Sequence, residues 1–420
     1  MEVDNGVRAH IIGNLNPLNS GWRILLISVT TFLSRKFPNI EFTKESLFPQ
    51  IDEKLNPMCK CTKSMKSSII LLISTFVRAI FWRLFRLLGL DATALFNEPL
   101  RQYYDADVII DLSGDGLCLP KSKSHWYSLA KIFFKLANLI SILIAILLNK
   151  KVILYSASVG GLGVLVPLAK LVLNKVDLIV VRDYESLEYL NRIKVTKPTV
   201  YFAPDAAFSM RLNKIGKRSA NGSAPVIGFN LSTEAVWHFH KIEFQYFARL
   251  IGSLVNYISE NLGATAILIP SSLGGPFRHD DDRIILNEVL KYVGGKNISV
   301  IGTSDLSLII DAISKCDVLV TMRMHPAIIS LLCGTPPLMI SHSPKFHGLM
   351  KLIGLENLLY VSTKIDYESL KKQFLYIWEN RNLIRAHIEG RIGSLIELSL
   401  NGLERLASAI HEITKTSTLN

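Results

Sequence analysis

Short apolar runs alternate with longer helical patterns through almost the whole chain, and this alternation constrains the fold more than any other feature. In the first half the runs are Ala9–Ile12, Asn39–Phe42, Asp107–Leu112, Val152–Ser156, Leu178–Arg182 and Thr199–Ala203. Helical patterns between them cover Arg23–Lys36, Lys66–Leu88, Trp126–Leu148, Leu162–Leu173 and Tyr184–Arg192. The runs are nearly continuous in apolar residues, which is how a strand reads when both faces of its sheet are covered. A second series repeats the scheme. Its strands are expected at Val226–Asn230, Thr265–Ile269, Ile298–Ile301, Val318–Thr321, Pro337–Ile340 and Leu359–Val361. Its helices are expected near Phe244–Asn261, Asp281–Val293, Leu306–Lys315, Ala327–Cys333 and Phe346–Ile353. Such βαβ series predict an α/β protein of two Rossmann-like domains, with mostly parallel sheets facing a cleft.

The segment Gly216–Pro225 (GKRSANGSAP) gathers turn formers and basic residues and reads as the linker. The expected division is a domain over residues 1–222, a second over 223–366, and helices over 367–420 that pack back on the first. A chain of 420 residues suits two domains. Hydrophobic residues at 49% and charged residues at 20% allow large cores and exclude a disordered chain.

The net charge of +12 suits an acidic partner: nucleic acid, an anionic membrane face, or phosphorylated and carboxylated small molecules. No zinc-finger spacing, aromatic RNA-binding motif or basic reading helix accompanies the charge, so nucleic acid is not the expected partner. Cys118, Cys316 and Cys333 read as buried thiols, and Cys59 and Cys61 flank a lysine in a loop-like stretch. No second Cys/His pair lies near them, so zinc is not expected, and few cysteines suit a reducing compartment. Met1–His10 carries two acids and does not read as a secretory signal, so a cytoplasmic protein is expected. Two apolar stretches, Ile69–Leu90 and Leu136–Leu148, read as buried helices flanking the sheet. For Ile69–Leu90 the rival is a helix lying peripherally on the inner face of a membrane, with Phe76, Phe81, Trp82 and Phe85 dipping in.

The sharpest chemical signal is Val318–Pro337 (VLVTMRMHPAIISLLCGTPP). An apolar strand runs into Arg323 and His325, and Pro326 suits the first position of the next helix. A guanidinium, an imidazole and a helix N-terminus then meet at one strand end, all suited to phosphate or carboxylate. His238 with His240, and the run His279–Asp282 (HDDD), hold metal-ligand residue types. The acids of the run stand at an expected helix start, where they favour the dipole, and no metal is expected.

These residues resemble the C-terminal signature of the polysaccharide pyruvyl transferase family: strand, R-x-H, apolar helix, Gly-Thr-Pro. Downstream, Ser341–Gly348 (SHSPKFHG) is similar to the family's lysine-bearing loop, with Lys345 as the lysine. Asp107–Leu117 (DVIIDLSGDGL) resembles its strand and glycine-rich turn at Gly114, Asp115 and Gly116. Lys151–Gly161 (KVILYSASVGG) resembles its Ser-x-Gly turn, at Ser158 and Gly160. Ile179–Ser186 (IVVRDYES) looks like its Arg-Asp motif, Arg182 and Asp183, and Tyr201–Phe208 (YFAPDAAF) like its Pro-Asp turn, Pro204 and Asp205. Ile11–Trp22 (IIGNLNPLNSGW) resembles its opening strand and Asn-x-Gly loop, Asn19 and Gly21.

The resemblance implies a GT-B-like fold and transfer of pyruvate from phosphoenolpyruvate onto two hydroxyls of a sugar as a cyclic ketal. Arg323, Arg182 and Lys345 would hold the anionic co-substrate. His325 would act as general acid or bind phosphate, and Asp205 or Asp183 would take the hydroxyl proton. No cofactor or metal is implied. The acceptor would be a polysaccharide unit or its lipid-linked precursor. Two rivals share the pattern: a GT-B glycosyltransferase using a nucleotide sugar, and a non-catalytic member of the family.

Overall fold

The computed structural model describes residues 6–119, 125–210, 212, 224–238, 243–295, 297–303, 305–341, 344–361 and 365–417. The linker expected at Gly216–Pro225 lies almost wholly outside them, as does His240.

Among the described residues fifteen strands form: β1 Arg8–Ile12, β2 Glu41–Ser46, β3 Cys59–Lys63, β4 Val108–Asp111, β5 Leu117–Cys118, β6 Lys151–Ala157, β7 Val159–Gly160, β8 Leu178–Val181, β9 Thr199–Phe202, β10 Val226–Asn230, β11 Thr265–Leu268, β12 Ile298–Val300, β13 Val318–Thr321, β14 Pro337–Ile340 and β15 Leu359–Tyr360. The helices are α1 Ser20–Lys36, α2 Pro49–Leu55, α3 Ile69–Leu87, α4 Glu98–Asp105, α5 His125–Leu147, α6 Val166–Leu173, α7 Tyr184–Arg192, α8 Thr233–His238, α9 Phe244–Leu262, α10 Arg283–Leu290, α11 Leu306–Ser314, α12 Met324–Leu332, α13 Pro344–Ile353 and α14 Tyr367–Ser417.

The first sheet runs β3-β2-β1-β4-β6-β8-β9 and the second β12-β11-β10-β13-β14-β15. Every pairing within both is parallel. Each order steps outward from a first strand and then reverses, so each sheet has a switch point, between β1 and β4 in one and between β10 and β13 in the other. Loops leaving the carboxyl ends of those strands diverge there and leave a crevice. Both sheets are covered by helices, and their central strands β4, β8, β13 and β14 are buried along their whole length.

Several expectations need correction. Cys59 and Cys61 do not lie in a loop but on the edge strand β3, both buried, and burial pushes the Cys61 thiol up to about 12. Cys118 and Cys333 are half-buried rather than buried. β2 runs four residues beyond Phe42 because its polar residues are neutralised inside the protein. Lys44 is fully buried and paired with Asp52 of α2, while Glu45 accepts hydrogen bonds from Tyr103 and Ser64 at 2.9 Å each. The apolar run Ile69–Leu87 is helical, but Phe76 and Trp82 face the core rather than outward. Pro326 takes the third helical position, because α12 already begins at Met324. Proline is tolerated there too, since none of the first four N–H groups has a partner within the helix.

The tail is a single helix. The early part of α14 sits in the second domain's core through Leu370, Phe374, Ile377 and Ile388, and its later part in the first domain's core through Leu403, Leu406 and Ile410.

Candidate active site

The loops leaving β1, β4, β6, β8 and β9 meet the loop leaving β13. In β6 the register shifts between Leu154 and Ala157, and Ser156 adopts φ 54°. A non-glycine residue in that region is strained, and here the bulge re-aims the strand's end. Ser158 consequently faces the end of β8. Its Oγ donates to Asp183 Oδ2 at 2.6 Å and accepts from Arg182 Nε at 2.9 Å.

Arg182 donates through Nη1 to Asp205 Oδ2 at 2.7 Å, with both side chains only 4% exposed. Burial opposes the charge of Arg182, but Asp205 and Asp115 outweigh it and raise the guanidinium pKa. Asp205 caps the 3-10 turn Ala206–Ser209 through the Ala207 N–H at 2.9 Å. Burial pushes its carboxyl up, yet His325, Arg182 and that N–H together hold it far below the usual carboxylate range. Asp205 is therefore favoured as a buried anion. Asp183 caps α7, accepting from the Ser186 N–H at 2.8 Å and from the hydroxyls of Ser158 and Ser186.

The second domain supplies His325 and Arg323. His325 Nε2 lies 3.7 Å from Asp205 Oδ2. The bend between β13 and α12 is held by Thr321, whose hydroxyl donates to Asn230 Oδ1 at 2.9 Å and accepts from the Arg323 N–H at 3.1 Å. Arg323 pairs with Asp282 at 2.5 Å. Asp282 is wholly buried and accepts from the N–H groups of Ser271 and Ser272 at 3.2 and 3.0 Å. It thus anchors Arg323, a role that the dipole argument for HDDD did not foresee. Burial raises the carboxyl of Asp282 in spite of Arg323.

α1 closes the site from the first domain. Asn19 caps it, accepting from the Gly21 and Trp22 N–H groups at 3.0 and 3.3 Å. A Cβ on Gly21 would stand 2.4 Å from His325 Nδ1, so the bare glycine is what lets the imidazole lie against the helix start. The Asn19 loop also crosses to the second domain: Ser20 N–H donates to the Ser271 carbonyl at 2.7 Å and Asn16 Nδ2 to that of Gly274 at 2.8 Å.

Of the expected residues, Asn19, Gly21, Ser158, Arg182, Asp183, Asp205 and His325 form one connected group. Gly114, at φ 60°, joins it, because the Arg182 guanidinium passes 3.4 Å from where its Cβ would be. Gly116 and Gly160 do not line it. Gly116 packs on Ser113 and Asn138, and Gly160 faces Cys118. Asp115 contributes charge toward Arg182, and its carbonyl accepts from Lys135 at 2.8 Å. Lys345 falls in the first turn of α13, with its side chain outside the described residues.

A second group beside Arg323 was not anticipated. Lys131 of α5 pairs with Glu234 of α8 at 2.8 Å, and the Tyr127 hydroxyl donates to the same carboxylate. The Tyr127 ring stacks on His238 at 3.7 Å, and His279 meets His238 edge-on at 4.8 Å. Burial pushes Glu234 up, but Lys131 and Arg323 pull it well below the usual range. No sequence motif links these residues; only the fold brings α5 and α8 together. Among the described residues no group of three or more His, Cys, Asp or Glu is placed to hold a metal ion.

Comparison with known proteins bears on family and fold. The family model described as polysaccharide pyruvyl transferase matches residues 19–344. The amylovoran biosynthesis protein AmsJ of Erwinia amylovora is 26% identical over 200 residues, 45% of this chain and 48% of that protein, so the match spans about half the length of this curated relative. Among solved structures, a protein assigned as UDP-N-acetylglucosamine 2-epimerase from Listeria monocytogenes superposes with a TM-score of 0.61 at 11% identity, covering 98% of this chain and 97% of that one. Sucrose-phosphate synthase from Thermosynechococcus elongatus gives 0.59 at 12%, covering 98% and 100%. Anabaena Alr3699/HepE, in complex with UDP, gives 0.56 at 8%, covering 97% and 100%. At such identities the structural likeness is one of fold: a GT-B-like pair of Rossmann-like domains.

Proposed function

The chain belongs to the polysaccharide pyruvyl transferase family, and we propose that it moves the pyruvyl group of phosphoenolpyruvate onto two hydroxyls of a saccharide, as a cyclic ketal. The observation that carries this reading is the convergence of His325, Asp205 and Arg182 where the loops leaving β8, β9 and β13 meet, with Arg323 anchored beside them.

The reaction needs one proton delivered to the methylene carbon of phosphoenolpyruvate, and positive character then develops at the neighbouring carbon. A sugar hydroxyl bonds to that carbon, the carbon–oxygen bond to phosphate breaks, and a second hydroxyl closes the ring. The two hydroxyls release two protons; one replaces the proton spent on the methylene carbon and the other leaves with the phosphate. His325 suits the proton donor, since it stands at the crevice with a fixed carboxylate 3.7 Å away to steady its ring. Asp205, held as an anion by His325 and Arg182, steadies the imidazole in this scheme, so Asp183 at the start of α7 is the carboxylate left to meet a hydroxyl proton. Arg182, Arg323 and the start of α12 suit the carboxylate and phosphate. Lys345 is kept as a third cation, and Asn19, Gly21, Gly114, Asp115 and Ser158 as groups shaping the substrate side. On this reading the second domain carries the phosphoenolpyruvate site, with Arg182 reaching it from the first, which is otherwise the acceptor side.

A cytoplasmic site of action fits a phosphoenolpyruvate-dependent enzyme, and a lipid-linked acceptor would bring it to the inner membrane face. A nucleotide-sugar transferase is the second reading, favoured only by the fold shared with UDP-bound HepE.

The test is phosphate release from phosphoenolpyruvate across saccharide and lipid-linked acceptors, with Arg323→Ala and His325→Ala alongside. The expected outcome is acceptor-dependent release, lowered at least about a hundredfold in both variants. No release with any acceptor, together with a melting shift from UDP-sugars and none from phosphoenolpyruvate, would transfer the case to the second reading.

A further inference from the structure

α3 is apolar on both faces. Leu72, Thr75, Ala79 and Trp82 face the core at helical spacing. The opposite stripe is Ile70, Ile73, Val77, Phe81, Leu84 and Leu88, between 40% and 76% exposed. Such spacing keeps one face of a helix in line. α3 packs against α5, whose Leu129 and Phe133 are also exposed at 38% and 64%. An exposed apolar stripe of this length is unusual on a soluble monomer and marks a contact surface.

The charge of the segment that carries it points to the partner. From Lys54 to Leu90 the chain carries seven cations (four lysines and three arginines) and no acid. Helical spacing sets Arg78 and Arg83 on the two flanks of the stripe, Arg78 held there by the Leu95 carbonyl. Two copies of this face would set like charges against each other with no carboxylate from α3 to pair them. An anionic bilayer satisfies both requirements: acyl chains for the stripe and headgroup phosphates for the cations.

We propose that the outer face of α3, extended by Leu129 and Phe133 of α5, docks on an anionic lipid surface. α5 also supplies Tyr127 and Lys131 to the rim of the cleft. Docking therefore sets the cleft mouth near the headgroups, where the sugar of a lipid-linked acceptor would be found. That last consequence rests on the proposed function; the docking itself does not.

The experiment is flotation of the full chain with phosphatidylcholine vesicles, with and without phosphatidylglycerol, in the absence of any substrate. Wild type is expected to float with the phosphatidylglycerol vesicles and to be released by salt. The variant Ile73→Ser/Phe81→Ser/Leu84→Ser changes exposed positions only, so its melting temperature should hold while its vesicle affinity falls at least about tenfold. Arg83→Glu, at the flank of the stripe, should weaken binding in the same direction. Unchanged binding by the triple variant, equal binding to neutral vesicles, or no binding at all would overturn the proposal. A dimer in sedimentation equilibrium that the triple variant breaks would assign the face to a second copy instead. Because no phosphoenolpyruvate is present, failure here leaves acceptor-dependent phosphate release untouched, and failure of that assay leaves flotation intact.

Discussion

His10 shows how much a single buried residue says about the conditions the fold requires. It lies at the centre of β1, fully buried, with Nδ1 2.7 Å from the Thr43 hydroxyl and its ring 4.9 Å from that of Tyr103. Burial disfavours the charged ring and lowers its pKa from 6.5 to about 3. The unfolded chain therefore binds a proton at a pH where the folded chain does not. Stability from this residue is complete above 6.5 and is lost as the pH falls from there towards about 3. Between about pH 7.5 and pH 5 the loss should approach about 2 kcal/mol. Urea midpoints across that interval would measure it. His10→Leu should be less stable at neutrality, because Thr43 loses its partner, but should show a shallower slope. An equal slope in the variant would mean that the acid sensitivity arises elsewhere.

At the scale of elements, the meeting of α1 with α12 decides the geometry of the site. Gly21→Ala puts a methyl group where His325 Nδ1 now sits, 2.4 Å from the ideal Cβ. The imidazole can swing away, and alanine is the better helix former by about 1 kcal/mol, so the melting temperature should change little. Turnover should fall at least about tenfold, because a displaced donor loses its alignment. Phosphate release and thermal melting on one preparation separate the two effects; full activity would mean that the ring is not needed at that spot. The same elements show what the sequence made legible. β10, β13 and β14 lie where their apolar runs place them, because strands covered on both faces carry the plainest signal. β3 escaped notice because CKCTK buries two thiols beneath exposed lysines and reads as polar. Arg182, Asp205 and His325 were legible because each follows a strand. Glu234, Lys131, Tyr127 and the anchoring role of Asp282 were not, since they become neighbours only when α5 and the loop before α10 are folded against α8.

For the molecule as a whole, α14 is the element that makes two sheets one body. Its 51 residues reach about 76 Å, enough to run from one core to the other. At the crossing, Gly402 comes so close to the first domain that a Cβ would stand 2.5 Å from that of Ala203. One turn earlier, the Ser399 hydroxyl donates to the Asp205 carbonyl at 3.0 Å, tying the helix to the site itself. Domain coupling and site geometry are therefore carried by the same segment. Leu406→Ala with Ile410→Ala removes two fully buried side chains from the first domain's core and touches none in the second. Each should cost about 2–5 kcal/mol, all of it on one side. Wild type is expected to unfold in a single calorimetric transition. The double variant should show two, the lower one accompanied by loss of phosphate release while the second domain remains folded. One transition merely shifted downward would locate the coupling in the cleft contacts instead. There the Lys131–Glu234 pair, the Ser20–Ser271 and Asn16–Gly274 hydrogen bonds and the strand-like contact of Asn19 with Ser272 are among the bonds that would carry it.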